Sequence, residues 1–110
     1  MSEIELTAKT CKPCEGGVPA VTEDEIVAML PQIGGWAYLD GHIEKAFDFN
    51  NYYQTISFVN AVAWIANAEG HHPNMQVDFR RCTVKYWTHA INGMSENDFI
   101  CAAKINQLMG

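Results

Sequence analysis

A chain of 110 residues has room for one domain with a modest core and little room for a second. Its 48% apolar content and three tryptophans argue for a folded globule, and a net charge of -6 argues against nonspecific attraction to nucleic acid or an anionic membrane. No run reaches the length of a membrane span, and Met1-Ser2-Glu3 opens a polar start without a signal-peptide pattern, so the expected location is the cytoplasm.

Residues 1–20 are charged, carry Cys11 and Cys14, and are broken by Pro13, Gly16-Gly17 and Pro19, which predicts an irregular arm packed loosely on the domain. A single domain is expected over residues 21–110. Its first helix starts at Thr22, where Thr22-Glu23-Asp24-Glu25 reads as a capping box, with Ile26, Met29 and Leu30 facing inward and Pro31 limiting continuation. Gly34-Gly35 releases the chain into a strand, Trp36-Ala37-Tyr38-Leu39, and Asp40-Gly41 is a two-residue hairpin signal. The returning strand runs from Ile43 to Phe49, with Ile43, Phe47 and Phe49 on one face. Lys45 interrupts that row, as a residue near a sheet edge or a ligand would.

Asn50-Asn51 caps the longest helix, from about Tyr52 to Ala68, with Ile56, Val59, Ala63 and Ala66 as its stripe, widened by Phe58, Val62 and Ile65. Trp64 fits either a core or a subunit interface. After Glu69-Gly70-His71-His72-Pro73 comes an alternating strand from Met75 to Phe79. Arg80-Arg81 then marks a turn or bulge before the last strand, Cys82 to His89. Cys82, Val84 and Tyr86 share one face of it, and Thr83, Lys85, Trp87 and His89 the other. Ser95-Glu96-Asn97-Asp98 opens the final helix, which uses Phe99, Ala102, Ala103 and Ile105, with Leu108 toward its end. The order α-β-β-α-β-β-α predicts an α+β two-layer domain, a four-stranded antiparallel sheet with helices gathered on one side.

Two imidazoles at a helix-to-strand junction, His71 and His72, are the first candidates for chemistry, and His89 is the third. Histidine exchanges protons near neutral pH, which suits general acid–base work. Adjacent histidines on extended backbone point apart, so one faces a ligand while the other holds a neighbouring group. A hydrolytic metal site would need His71, His72 and His89 with Asp98 or Glu69; no H-E-x-x-H spacing supports it, and metal-free chemistry is the simpler account. Cys82 and Cys101 read as buried small hydrophobes, and Cys11 and Cys14 have the spacing of half a zinc site without the other half. No phosphate-binding glycine motif is present. Arg80, Arg81 and Lys85 beside Tyr86 and Trp87 form too small a basic group to imply a nucleic-acid partner.

Taken together, these residues resemble a pterin-4a-carbinolamine dehydratase, bacterial members most of all. The resemblance is carried by His71-His72-Pro73, the aromatic Phe79, Thr88-His89, Gly93-Met94-Ser95 and Asp98. Beyond these it takes in Cys14-Glu15-Gly16-Gly17, Trp36, Phe47-x-Phe49 and Phe58-Val59-Asn60-x-Val62-Ala63. It implies a saddle-like antiparallel sheet with three helices on one side, assembly into homodimers or homotetramers, and no cofactor. The implied activity is dehydration of 4a-hydroxytetrahydrobiopterin to the quinonoid dihydropterin, in support of tetrahydropterin recycling beside an aromatic amino-acid hydroxylase. His71, His72 and His89 are the implied catalytic histidines, with Pro73, Asp98, Asn67 and Phe79 in supporting or substrate-binding places. Asp98 would orient or neutralise an imidazole, or cap the last helix. Asn67 stands where many relatives have an acid, and Phe79 where tyrosine is frequent, which bears on substrate preference and pterin orientation. The other class of function is a non-catalytic oligomeric interaction or dimerisation protein, which would assemble without turnover.

Overall fold

The computed structural model describes residues 3–13 and 18–110. Its sheet is made of two hairpins. The first joins β1 (Ala37–Leu39) to β2 (His42–Asp48) across Asp40-Gly41, whose φ values of 48° and 84° are both positive, as a tight turn matching strand twist requires. The second joins β3 (Asn74–Val77) to β4 (Arg81–Tyr86). β2 and β4 pair in the centre, Ile43 opposite Tyr86 and Phe47 opposite Cys82, which gives an antiparallel sheet of order β1-β2-β4-β3.

Alternation makes one face of this sheet apolar. Ile43 and Phe47 of β2 are buried with Cys82, Val84 and Tyr86 of β4, while Thr83 and Lys85 point to the other side. The same core takes in Ile26 of α2 (Glu23–Met29), Phe58 and Val62 of α3 (Tyr52–Glu69), and Phe99, Ala102 and Ile105 of α4 (Glu96–Leu108). The Phe58 ring lies 4.6 Å from that of Phe47 and 5.1 Å from that of Phe49. Truncating so enclosed a phenylalanine to alanine costs about 3–5 kcal/mol. The α+β two-layer expectation and its three helices are borne out. Thr22 and Glu25 form the expected capping box, and Asn51 accepts from the Gln54 amide at 2.8 Å.

Five local expectations are corrected or narrowed. The N-terminal arm is not wholly irregular or loose: Glu3–Thr7 forms a short helix, α1, and Leu6 is fully buried against the core. Farther along the arm, Lys12 N donates to Asn97 Oδ1 at 3.0 Å and Asn97 Nδ2 donates to Lys12 O at 2.8 Å. The buried stripe of α3 is Thr55, Phe58, Val62 and Ala66, whereas Ala63 is exposed; Thr55 is tolerated inside because its hydroxyl reaches Asn51 O and Phe79 O, each at 3.1 Å. Trp64 is 76% exposed and is not core. Lys45 lies on a central strand and donates to Gly34 O and Asn106 Oδ1, both at 2.9 Å, so it ties β2 to α4 and takes no place in the candidate site. The last strand stops at Tyr86 instead of His89: Thr88 pairs back with Gly93, and His89–Ile91 is a single 3-10 turn.

Candidate active site

The end of α3 sets the first histidine. Gly70 takes the left-handed conformation, φ 65°, and the His71 amide donates back to Ala66 O at 3.1 Å, while the Gly70 amide reaches Asn67 O at 3.4 Å. This pattern closes a helix only with a residue that accepts positive φ, which is why glycine precedes the histidine pair. The His71 carbonyl accepts from the Tyr86 hydroxyl at 3.1 Å, and the two rings stack at 5.3 Å with 17° between planes. Burial, with the neighbouring Cys101 second, pushes the Tyr86 phenol far above its usual range, so it remains an O–H donor. Pro73 holds His72 away from helical geometry, and the chain passes into β3.

The imidazole of His71 meets Asp98. Nε2 lies 2.6 Å from Oδ1, with the histidine 5% exposed and the aspartate fully buried. Oδ2 of the same carboxylate accepts from Thr88 Oγ1 and from the Ser95 amide, each at 2.9 Å. Thr88 has a single hydroxyl proton and gives it to Asp98, so the 2.7 Å contact between Thr88 and Ser95 hydroxyls has Ser95 donating. One oxygen of Asp98 thus belongs to the N-terminal cap of α4 and the other accepts a hydrogen bond from His71 Nε2–H.

His72 and His89 are exposed. With His71 and Pro73 they border one cavity of about 430 Å³, completed by Gly70, Asn74 and Ala90. His89, distant in sequence from the His71-His72 pair, thus shares a hollow with it. Asn67 and Phe79 do not line it: Asn67 lies exposed on α3, and Phe79, 67% exposed, stacks on Tyr52 at 6.2 Å. Sequence reading named Thr88 and Ser95 as carriers of the resemblance and gave neither them nor Tyr86 a role in this arrangement. The inward parity of Tyr86 and the capping position of Ser95 were the available signals.

Among the described residues no three histidine, cysteine or acidic side chains converge as a ligand set for a metal ion. Glu69, considered as a ligand, is taken up by Lys104 Nζ at 2.7 Å and the Cys11 amide at 2.8 Å. Cys82 and Cys101 are fully buried, and burial pushes the Cys82 thiol up to about 11. Cys11 lies 3.5 Å from Cys101, sulfur to sulfur, and that contact together with burial pushes its thiol far up, the opposite of what a thiolate nucleophile or ligand needs. Cys14-Glu15-Gly16-Gly17, to which the C-x-x-C and arm resemblances extend, lies outside the described residues.

A small α+β domain whose sheet edge, helix end and final-helix cap gather three histidines round one hollow defines a candidate acid–base site. Comparison with known proteins gives the family. The chain belongs to the pterin 4 alpha carbinolamine dehydratase family, whose model matches residues 19–108. A protein of Nitrosospira multiformis, provisionally named a pterin-4-alpha-carbinolamine dehydratase, is 56% identical over 104 residues, covering 94% of this chain and 92% of the relative. One from Bdellovibrio bacteriovorus with the same provisional name is 49% identical over 114 residues, covering 100% of this chain and 92% of the relative. Among solved structures, a transcriptional coactivator/pterin dehydratase from Brucella melitensis is similar with a TM-score of 0.80 and 30% identity, over 84% of this chain and 100% of that one. A pterin dehydratase-like protein described as a RuBisCO assembly factor in the alpha-carboxysome is similar at a TM-score of 0.58 and 26% identity, over 69% of this chain and 90% of that one. No helix among the described residues is long and apolar enough to cross a membrane.

Proposed function

We propose that this protein dehydrates 4a-hydroxytetrahydrobiopterin, or a closely related 4a-carbinolamine pterin, to the quinonoid dihydropterin. The observation that carries this reading is the single cavity bordered by His71, His72 and His89, with His71 held on Asp98. Breaking the C4a–O bond requires a proton on the departing hydroxyl, and the pterin must give up a proton from a ring nitrogen as the new double bond forms. The step is redox-neutral and releases water, so a proton donor and a proton acceptor balance it without a further co-reactant. His71 and His89 carry these two roles, and His72 orients the pterin. Asp98 keeps the His71 proton on Nε2 and stabilises the imidazolium that forms when Nδ1 accepts a second one. In the cell, the reaction supports tetrahydropterin recycling next to an aromatic amino-acid hydroxylase in the cytoplasm. Trp64 and Tyr53, 76% and 82% exposed on α3, favour a homodimer or homotetramer.

The test is turnover of a chemically generated 4a-hydroxypterin, followed as loss of the carbinolamine absorbance. The His89→Ala variant is expected to lose about a hundredfold or more in kcat, and His72→Ala to be affected mainly in KM. Unchanged rates in both variants would overturn the acid–base assignment. A second reading, a non-catalytic assembly protein, draws on the coactivator and assembly-factor descriptions of the two solved relatives. It predicts self-association with no turnover, so the same assay separates the two.

A further inference from the structure

Two neighbouring rings on the outward side of the sheet, His42 and Trp87, are not used by the catalytic reading. Trp87 follows directly on the end of β4, and Thr88 links it to the 3-10 turn that carries His89. Continuing the β2–β4 register one step past Ile43–Tyr86 sets His42 opposite Trp87. The rings follow that placement. Trp87 and His89 are stacked, centroids 4.3 Å apart and planes 22° apart, and the His42 ring lies 6.0 Å from the indole. His42 is fixed in its turn by Glu44, Nε2 to Oε1 at 2.7 Å. The row therefore runs from Glu44 and His42 on β2, through Trp87, to the histidine at the rim of the cavity.

Among the described residues, the His89 imidazole has the Trp87 indole as its ring contact and no side-chain hydrogen bond. Its backbone belongs to one 3-10 turn, His89–Ile91, closed by the left-handed Asn92 at φ 48°. An exposed imidazole on such a turn would otherwise sample several rotamers, most of them away from the hollow. A half-buried indole has only two side-chain torsions to fix, and here it packs against an imidazole that is itself anchored. We propose that Trp87 is a positioning residue, whose indole face sets the plane and reach of the His89 imidazole for proton transfer. This rests on the dehydratase reading of the cavity. Trp87 does not line that cavity, so it acts through His89.

The experiment compares Trp87→Leu with Trp87→Phe, the second keeping an aromatic face. Trp87→Leu is expected to lower kcat on the order of tenfold with KM within about twofold, and Trp87→Phe to recover most of the loss. The His89 ring-proton resonances, shifted upfield by the indole in the wild type, should move downfield in Trp87→Leu. Wild-type kcat in Trp87→Leu would overturn the proposal, as would a raised KM with kcat intact, the mark of a substrate-binding wall. Equal impairment in Leu and Phe variants would do the same. If the wild-type protein does not turn over 4a-hydroxypterin, the dehydratase reading fails instead. The His89 resonances then decide positioning alone: unshifted ones overturn it, and a downfield move in Trp87→Leu supports it.

Discussion

His71 is 5% exposed and is fixed through its amide, its carbonyl and its ring, whereas His89 stands exposed on a three-residue turn with one aromatic face beside it. Both are assigned to proton transfer, yet they obtain their orientation by different means. The first relies on hydrogen bonds, the one from its ring made to a carboxylate, in a region of low dielectric where each missing partner is costly. The second relies on contact between flat surfaces at the protein–water boundary, where displacement is cheap and protons exchange readily with solvent. A change on the His71 side should therefore damage stability and catalysis together, while one on the His89 side should damage catalysis alone.

Asp98→Ala is the sharpest way to expose that asymmetry. It strips an acceptor from the His71 imidazole, the Thr88 hydroxyl and the Ser95 amide, all buried, and is expected to cost about 3–5 kcal/mol in urea unfolding along with most of the turnover. His89→Ala should leave the unfolding midpoint within about 0.5 kcal/mol of wild type while kcat collapses. If the two variants lose equal stability, the contrast between a hydrogen-bonded and a stacked histidine is wrong. Tyr86→Phe is milder: it keeps the 17° stack but removes the 3.1 Å bond to the His71 carbonyl, a loss of about 1.5 kcal/mol or less. No stability change in that variant would mean that the bond to the His71 carbonyl adds nothing to the hold of Asp98, the amide bond and the stack.

The same contrast marks what could be read from the sequence. Local rules worked where the determinant is local: Asp40-Gly41 forms its hairpin turn, Thr22 with Glu25 its capping box, and the alternation along Cys82, Val84 and Tyr86 gives the buried face. The hollow joining His71, His72 and His89 was anticipated by family resemblance to a known constellation, since nothing in strand periodicity brings residue 89 beside residue 71. Periodicity failed where tertiary contacts decide. Thr55 is inside because two carbonyls receive its hydroxyl, and α1 exists because Leu6 has the core to sit against, since a five-residue helix does not stand alone. The β-branched Thr88 reads as strand, but Asn92 and Gly93 fold the chain back onto it and end β4 early. Asn97, which grips the arm at Lys12, carries no local signal for that pairing at all.

The smallest expected effect lies one residue before the helix-ending glycine. Glu69 accepts from Lys104 and from the Cys11 amide, and its side chain and that of Lys104 are 12% and 17% exposed. Burial alone would push this carboxyl up, but the hydrogen bond from Lys104 and the one from the Cys11 amide together outweigh it and hold the group below the ordinary glutamate range. A carboxyl whose folded value lies below its unfolded one stabilises the fold above the unfolded value, and that contribution is lost as pH falls through the folded value. Glu69→Gln should therefore be less stable than wild type by about 1 kcal/mol near neutral pH. The difference should shrink toward zero in acid as the wild-type carboxyl protonates. Thermal melts of both proteins across acidic and neutral pH read this directly. A gap that stays constant with pH would assign the loss to altered packing instead of charge. The end of α3, and with it the placement of His71, would then owe nothing to the Lys104 pair.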